Sequence, residues 1–350
     1  MPERNARRNN IGAIRLFLAT AVLLSHCFLF PAGRLLDEPM ARVADGMTIG
    51  DAAVDLFFVL SGYLITQSWF SAPNAGAFIV KRVSRIYPGY FVALVLSIAA
   101  AGIGCWPQST RAFRSMLFVS GDNVLRTALF LDPEFVRQPR GDAHARQITN
   151  LVNGPMWTLQ PELRCYGLVL ALGMCGMLSR RWAPVIMTVA AAALFGFLTH
   201  EHGTRATIDF LSRFLAAFGV GIVVGVFGVE RLPKGVWSIA IALAALLAVA
   251  WYWPLMFSVA FPILGGFLAF RTAFGRPVMA PDWFARNDYS YGVYLYGCPV
   301  QLLILDFSSV RDWWVLFACA LPLTLILAAF SWHLVEAPCL RLTRRPVGHE

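Results

Sequence analysis

The stretch "IRLFLATAVLLSHCFLF", residues 14–30, decides the fold class. It is long and apolar enough for a membrane-crossing helix, yet it carries Arg15 and His26. Eleven positions at 100° each turn a helix by about 1100°, which leaves the pair roughly 20° apart in azimuth and ~16 Å apart along the axis. The two polar groups therefore share one face, with Leu18, Ala19 and Val22 between them. A groove running from one to the other would have modest walls.

The rest of the chain extends this pattern. Of 350 residues, 58% are hydrophobic and 14% charged, and the mean hydropathy is +0.61. A soluble domain averages about 25% charged residues, so little of this surface can face water. The expected class is an all-α, polytopic integral membrane protein. The net charge of +9 would suggest nucleic acid in a soluble chain. Here the basic residues instead cluster in short loops between apolar runs, and no free-standing basic helix or stacking platform remains. The N-terminus has the basic start of a signal peptide but no small-residue cleavage site after its apolar run, so it reads as an uncleaved first helix. Five of the seven cysteines fall within apolar segments, where thiols act as small hydrophobes. Neither a disulfide framework nor a metal site follows from them.

Taking a span as about 20 apolar residues gives ten candidates. They lie near 11–30, 52–70, 87–105, 156–178, 183–200, 207–228, 235–252, 254–271, 288–305 and 313–335. Trp253 and Pro254 form the tight turn between the seventh and eighth. The short loops at 71–86, 179–182, 229–234 and 272–287 hold Lys81, Arg82, Arg85, Arg180, Arg181, Arg231, Lys234, Arg276 and Arg286. The positive-inside rule makes these loops and both termini cytoplasmic. The long connection 106–155 is then an outer loop, whose "TRAFRSMLFVSGDNVLRTALFL" suits a surface-lying amphipathic helix, a lid, or a packed loop. A short basic tail follows at 337–350. No internal repeat interrupts the chain, which reads as a single domain over 1–350.

Ionisable residues inside such helices are costly and ask for a reason. Arg15, four residues into its helix, is an interface anchor or one end of the groove. His26 is cheaper because imidazole can be neutral, and it is either bonded to a neighbouring helix or a general base. In "DAAVDLFFVLSGYLITQSWF", Asp51 caps the helix, and Asp55, one turn in, lies at a depth similar to His26. A carboxylate bonded to a histidine fixes its tautomer and raises its basicity. Ser61-Gly62 permits close helix contact. In "KRVSRIYPGY", Lys81, Arg82 and Arg85 form a cationic cluster; topology anchoring explains any two, and a guanidinium pair three apart also suits a bidentate phosphate clamp. In "NGPMWTLQPELRCYG", Glu162 and Arg164 are mutual partners, or Glu162 is a cavity-facing carboxylate. Pro161 would free a backbone carbonyl there.

Taken together, Arg15-ten residues-His26, "VDLFFVLSGYLI", Arg82-x-x-Arg85, "MWTLQPELRCY", "YSYGVYLYGCPV" and Glu336-Ala337-Pro338 resemble the membrane acyltransferase-3 family, in order, from residue 15 to 338. The resemblance implies a bundle of ten membrane helices that moves an acyl group, usually acetyl, from cytoplasmic acyl-CoA to a hydroxyl, commonly on a sugar. It implies that His26 is the catalytic histidine and that Arg82 and Arg85 handle the donor. Where many members have His in "YLxHxP", this chain has Gly297, which leaves His26 as the only motif histidine.

The expectation that follows is an O-acyltransferase of the bacterial inner membrane using acetyl-CoA or another acyl-CoA and no metal. Lys81, Arg82 and Arg85, with Arg15, serve the donor side. His26 deprotonates the acceptor hydroxyl while Asp55 or Glu162 orients or charges the imidazole. Tyr63, Ser61 and Tyr294 are candidate oxyanion donors. The rival is a proton-coupled transporter of a polar solute, since an intramembrane His with carboxylates and arginines describes that class too.

Overall fold

The computed structural model describes residues 9–32, 38–104, 153–204, 211–275 and 287–343. Every regular element among them is helical, as the hydropathy requires: a chain in lipid must satisfy its backbone groups internally. The long helices are α1 (Ile11–Ala32), α2 (Ile49–Ser71), α3 (Ala75–Gly104), α4 (Leu159–Met174) and α5 (Trp182–His202). They continue with α6 (Leu211–Phe227), α7 (Val236–Tyr252), α8 (Phe257–Ala273), α9 (Ser290–Phe307) and α10 (Trp313–Ser331). A π-turn at Trp332–Glu336 and a short helix Ala337–Leu342 follow α10. Each apolar run read from the sequence overlaps one of these helices. Six helices among the described residues are long and apolar enough to cross a membrane; α6 and α7 are apolar but shorter.

Outward-facing side chains agree with a lipid environment. On α7 only Ala242 is buried, while Trp237, Ile241, Leu247 and Trp251 are all exposed. Trp237 stands near one end and Trp251, Tyr252 and Trp253 at the other, the placement that amphipathic rings take at the two membrane interfaces. The expected turn is present, with Trp253 followed by a 3-10 turn at Pro254–Met256 that leads into α8.

Three local expectations change. Residues 75–86 are not loop but the first turns of α3, so Lys81, Arg82 and Arg85 stand on a helix. Their charges depress hydropathy without lowering helix propensity, since Lys and Arg are good helix formers. Pro161 lies in the first turn of α4, where its missing N–H removes no bond from the helix interior, so no internal carbonyl is freed. The tail expected from residue 337 begins as helix as far as Leu342. Nearly all of the outer loop 106–155, and residues 344–350 of the tail, lie outside the described residues.

The chain divides into two compact units. The first comprises Met1–Val22, Leu35–Ala75 and Arg164–Asp288. Here glycines set the closest crossing: a Cβ on Gly62 of α2 would run into the backbone of Phe218, and one on Gly221 of α6 into the carbonyl of Val59. Small residues four apart, Gly221 and Gly225, let the two backbones touch. Ser61-Gly62 thus marks a close helix contact, as expected. The Thr48 hydroxyl and the Asp51 carboxylate cap α2 reciprocally, and buried Glu38 accepts from the Ile49 N–H.

The second unit comprises Leu23–Arg34, Gly76–Leu163 and Tyr289–Glu350. Gly292 of α9 packs directly on the backbone of Ala328 of α10, and Leu23, Cys27 and Leu316 form a buried cluster with Ile304, Phe317 and Leu321 around it. Asn153 of the turn before α4 donates to the Ser97 hydroxyl at 3.0 Å and to the Leu295 carbonyl at 2.7 Å.

Candidate functional site

In the first unit, Arg15 has a carboxylate partner. Its Nη1 lies 2.6 Å from Oδ2 of Asp288, with both side chains about one-fifth exposed. Leu18, Ala19 and Val22, on the face between Arg15 and His26, are all buried, so protein rather than lipid covers that face.

Asp55 has no exposed surface, and its Oδ1 lies 2.9 Å from Nε of Arg213, itself buried, on α6. Arg213 Nη2 also donates to the backbone carbonyl of Asp51 at 2.7 Å. One guanidinium therefore straps the first turns of α2. A buried carboxylate needs such a partner, because an unpaired charge in a dry interior is strongly destabilising. Arg213 is absent from the sequence expectations. The available signal was a lone arginine in an apolar run, which demands an acid somewhere. Tyr63, one of the expected oxyanion donors, packs its ring edge-on to Phe270 and Phe274.

In the second unit, His26 is half-buried and its ring stacks on Phe30, one turn on, with centroids 5.3 Å apart. The helix around it is pinned from α9: fully buried Gln301 donates from Nε2 to the Leu23 carbonyl at 2.7 Å and contacts the Cys27 Sγ at 2.8 Å. Position 297 is part of the same contact. A Cβ on Gly297 would press on Leu23 Cδ1 at 2.9 Å, one turn before His26. Glu162 lies in the first turn of α4, half-buried, where the helix dipole favours a carboxylate. Nearby, the Tyr294 hydroxyl donates to the Pro155 carbonyl at 2.9 Å and contacts the Thr158 hydroxyl. Its proton already points at protein.

The cationic cluster is more built than the spacing alone indicates. Lys81 and Arg82 are half-buried on α3, and the Arg82 guanidinium lies over the Phe78 ring. Arg85 Nη1 donates to Oε2 of Glu336 at 3.1 Å, and its guanidinium carbon lies 5.3 Å from the Tyr291 ring and 5.6 Å from the Trp332 ring. The Arg-x-x-Arg and Glu-Ala-Pro stretches are thus one constellation. Glu336, Tyr291 and Trp332 were not among the expected site residues. The Glu-Ala-Pro motif was the one available signal, and it carried no indication of a partner.

Chemically, the second unit offers a half-buried imidazole on a pinned helix, a half-buried carboxylate, and an aromatic-walled arginine on the same helix as a second arginine and a lysine, while the first offers a buried carboxylate paired with an arginine. These are the parts of proton transfer and anion recognition.

Comparison with known proteins bears on what the parts do. The family described as an acyltransferase domain matches residues 8–333. Over 97% of its length the chain is 28% identical to Nodulation protein 10 of Rhizobium leguminosarum bv. viciae, covering 95% of that protein. It is 27% identical to the O-acetyl transferase of Shigella phage Sf6, over 94% of this chain and 95% of that one. The Exopolysaccharide production protein ExoZ of Rhizobium meliloti (strain 1021) is 25% identical over 57% of this chain and 58% of its own. No solved structure matches.

Proposed function

The chain belongs to the membrane acyltransferase-3 family and is an integral, multi-pass, acyl-transferring enzyme; on that premise we propose that it O-acetylates a hydroxyl of a carbohydrate or related envelope acceptor, with acyl-CoA as donor. The carrying observation is the 27% identity, along nearly the full length of both chains, to a protein named for O-acetyl transfer. A transporter is not favoured, since both the family and that relative are acyl-transferring.

In this reading residues 1–350 act as one acyltransferase domain in the bacterial inner membrane, with ten spans and both termini cytoplasmic. Lys81, Arg82 and Arg85 hold the donor's phosphates at the inner face, and Arg15 completes the donor side. His26 removes the proton from the acceptor hydroxyl as its oxygen attacks the thioester carbonyl. The carbon–sulfur bond then breaks, and the leaving thiolate takes a proton. Asp55 or Glu162 is the carboxylate that orients or charges the imidazole. No metal enters this scheme. A polysaccharide acceptor is supported by the relative named for exopolysaccharide production.

The test is O-acetyl analysis of surface glycans from cells with the protein, without it, and with His26→Ala at matched membrane levels. Acetylation present only with the unaltered protein supports the reading. Losing a general base costs about 10²–10⁴-fold, so residual transfer by His26→Ala above about a tenth of the original removes the histidine from that role.

A further inference from the structure

The pairing of Arg85 with Glu336 poses a question that topology anchoring does not answer. An arginine that only marks the cytoplasmic side needs water or headgroups around it, not a buried acid. Glu336 is 1% exposed and Arg85 17%. Burying a carboxylate is costly even after relaxation, and a salt bridge in such a place is weak evidence of stability. A different return is visible in the geometry.

Glu336 is itself held. Its Oε1 accepts from the Ser331 hydroxyl at 3.0 Å, and Ser331 Oγ in turn accepts from the Tyr296 hydroxyl at 3.0 Å. Ser331 and Tyr296 are both buried, and Tyr296 immediately precedes Gly297. The other oxygen, Oε2, takes the Arg85 bond. On the arginine, Tyr291 and Trp332 flank the guanidinium, and the Tyr291 hydroxyl donates to the Ile86 carbonyl at 2.9 Å, tying that ring to the same helix. Trp332 and Glu336 open and close the π-turn, so a single turn supplies both an aromatic wall and the acid. Turns of this kind recur at functional sites.

We propose that Glu336 is a positioning residue of the donor site: it fixes the Arg85 guanidinium in the orientation that receives an anionic group, the phosphate of the acyl donor. The proposal rests on the donor-side reading of Arg85 given above. A free arginine carries side-chain entropy that a bound anion would otherwise have to quench. Here folding has already ordered it, so the site is organised before the anion arrives.

The discriminating measurement is direct binding of CoA to the purified full-length protein in lipid nanodiscs, with KM values for acyl-CoA and acceptor alongside. Charge alone and positioning predict opposite signs for Glu336→Gln. Removing a negative charge beside a phosphate site should tighten CoA if electrostatics dominate. Losing the anchor should weaken it, by about tenfold when one hydrogen bond to a charged group is lost. We expect weaker CoA binding, a raised KM for acyl-CoA and an unaltered KM for the acceptor. In an Arg85→Lys background the same change should have no further effect, because an ammonium has no fork to orient. Ser331→Ala, a milder change, should shift CoA affinity in the same direction, and it serves if Glu336→Gln fails to fold. Tighter or unchanged CoA binding in the variant that folds overturns the proposal. If Arg85→Lys weakens CoA and neither Glu336→Gln nor Ser331→Ala does, only the positioning role falls. If Arg85→Lys leaves CoA binding intact, the donor-side reading falls with it.

Discussion

Arg213→Met removes the guanidinium paired with buried Asp55, while filling most of the volume the arginine stem occupied. Asp55 has no exposed surface, so water cannot replace the guanidinium. Breaking a buried pair from one side typically costs about 3–5 kcal/mol, or roughly two to nearly four powers of ten in the folding constant. The backbone carbonyl of Asp51 loses its 2.7 Å donor in addition. Removing both charges, in Arg213→Met with Asp55→Leu, leaves no orphaned ion and should recover most of the loss. Reversible unfolding by detergent titration in mixed micelles measures both variants against the parent. A single variant as stable as the parent, or a double variant no better than the single, refutes the reasoning. The double variant also separates stability from chemistry. If Asp55 supports His26, the recovered protein remains inactive in acyl transfer.

Further outcomes follow from packing and orientation. Gly221→Val should destabilise by about 1–3 kcal/mol, because the new side chain meets backbone at Val59, Gly62 and Tyr63 that cannot move aside. Gly167→Ala, on α4 with nothing within 4 Å, should be neutral or stabilising by up to ~1 kcal/mol in the same unfolding assay. For orientation, a cysteine at exposed Pro73, between α2 and α3, should resist an impermeant thiol reagent added to intact cells, and one in the 106–155 loop should react. The reverse pattern would place the cationic cluster on the outer side and remove it from cytoplasmic acyl-CoA.

Much of the architecture was legible because hydropathy and helix propensity are local. The run around residues 14–30 had to be a helix, and the turn at Trp253-Pro254 followed from an aromatic and a proline between two apolar runs. The start of α3 was misplaced for a reason of the same kind. A hydropathy window penalises Lys81, Arg82 and Arg85, but α3 continues back to Ala75, with Arg85 paired to an acid from elsewhere and Arg82 laid over Phe78. Pattern and spacing singled out His26, Asp55, Glu162 and the arginine pair. They left Arg213, Asp288 and Glu336 without a role, although each belongs to an ion pair with one of the residues that were named.

By itself, then, the sequence determined that the chain is a set of apolar helices interrupted by a few costly polar groups, and the order of its motifs determined the family. Both are properties of neighbouring residues, summed along the chain. Which acid meets which arginine was decided only by tertiary structure. Arg15 and Asp288 are 273 residues apart, and Arg85 and Glu336 are 251 apart. Several arrangements of the same helices would place a carboxylate near each arginine, and hydropathy does not distinguish them. What selects one is contact: glycines that let α2 and α6 touch, and a π-turn that brings Trp332 and Glu336 onto Arg85 together. A buried charge tolerates only the arrangement that supplies its partner at hydrogen-bond distance, so the pairing became visible once the helices were packed.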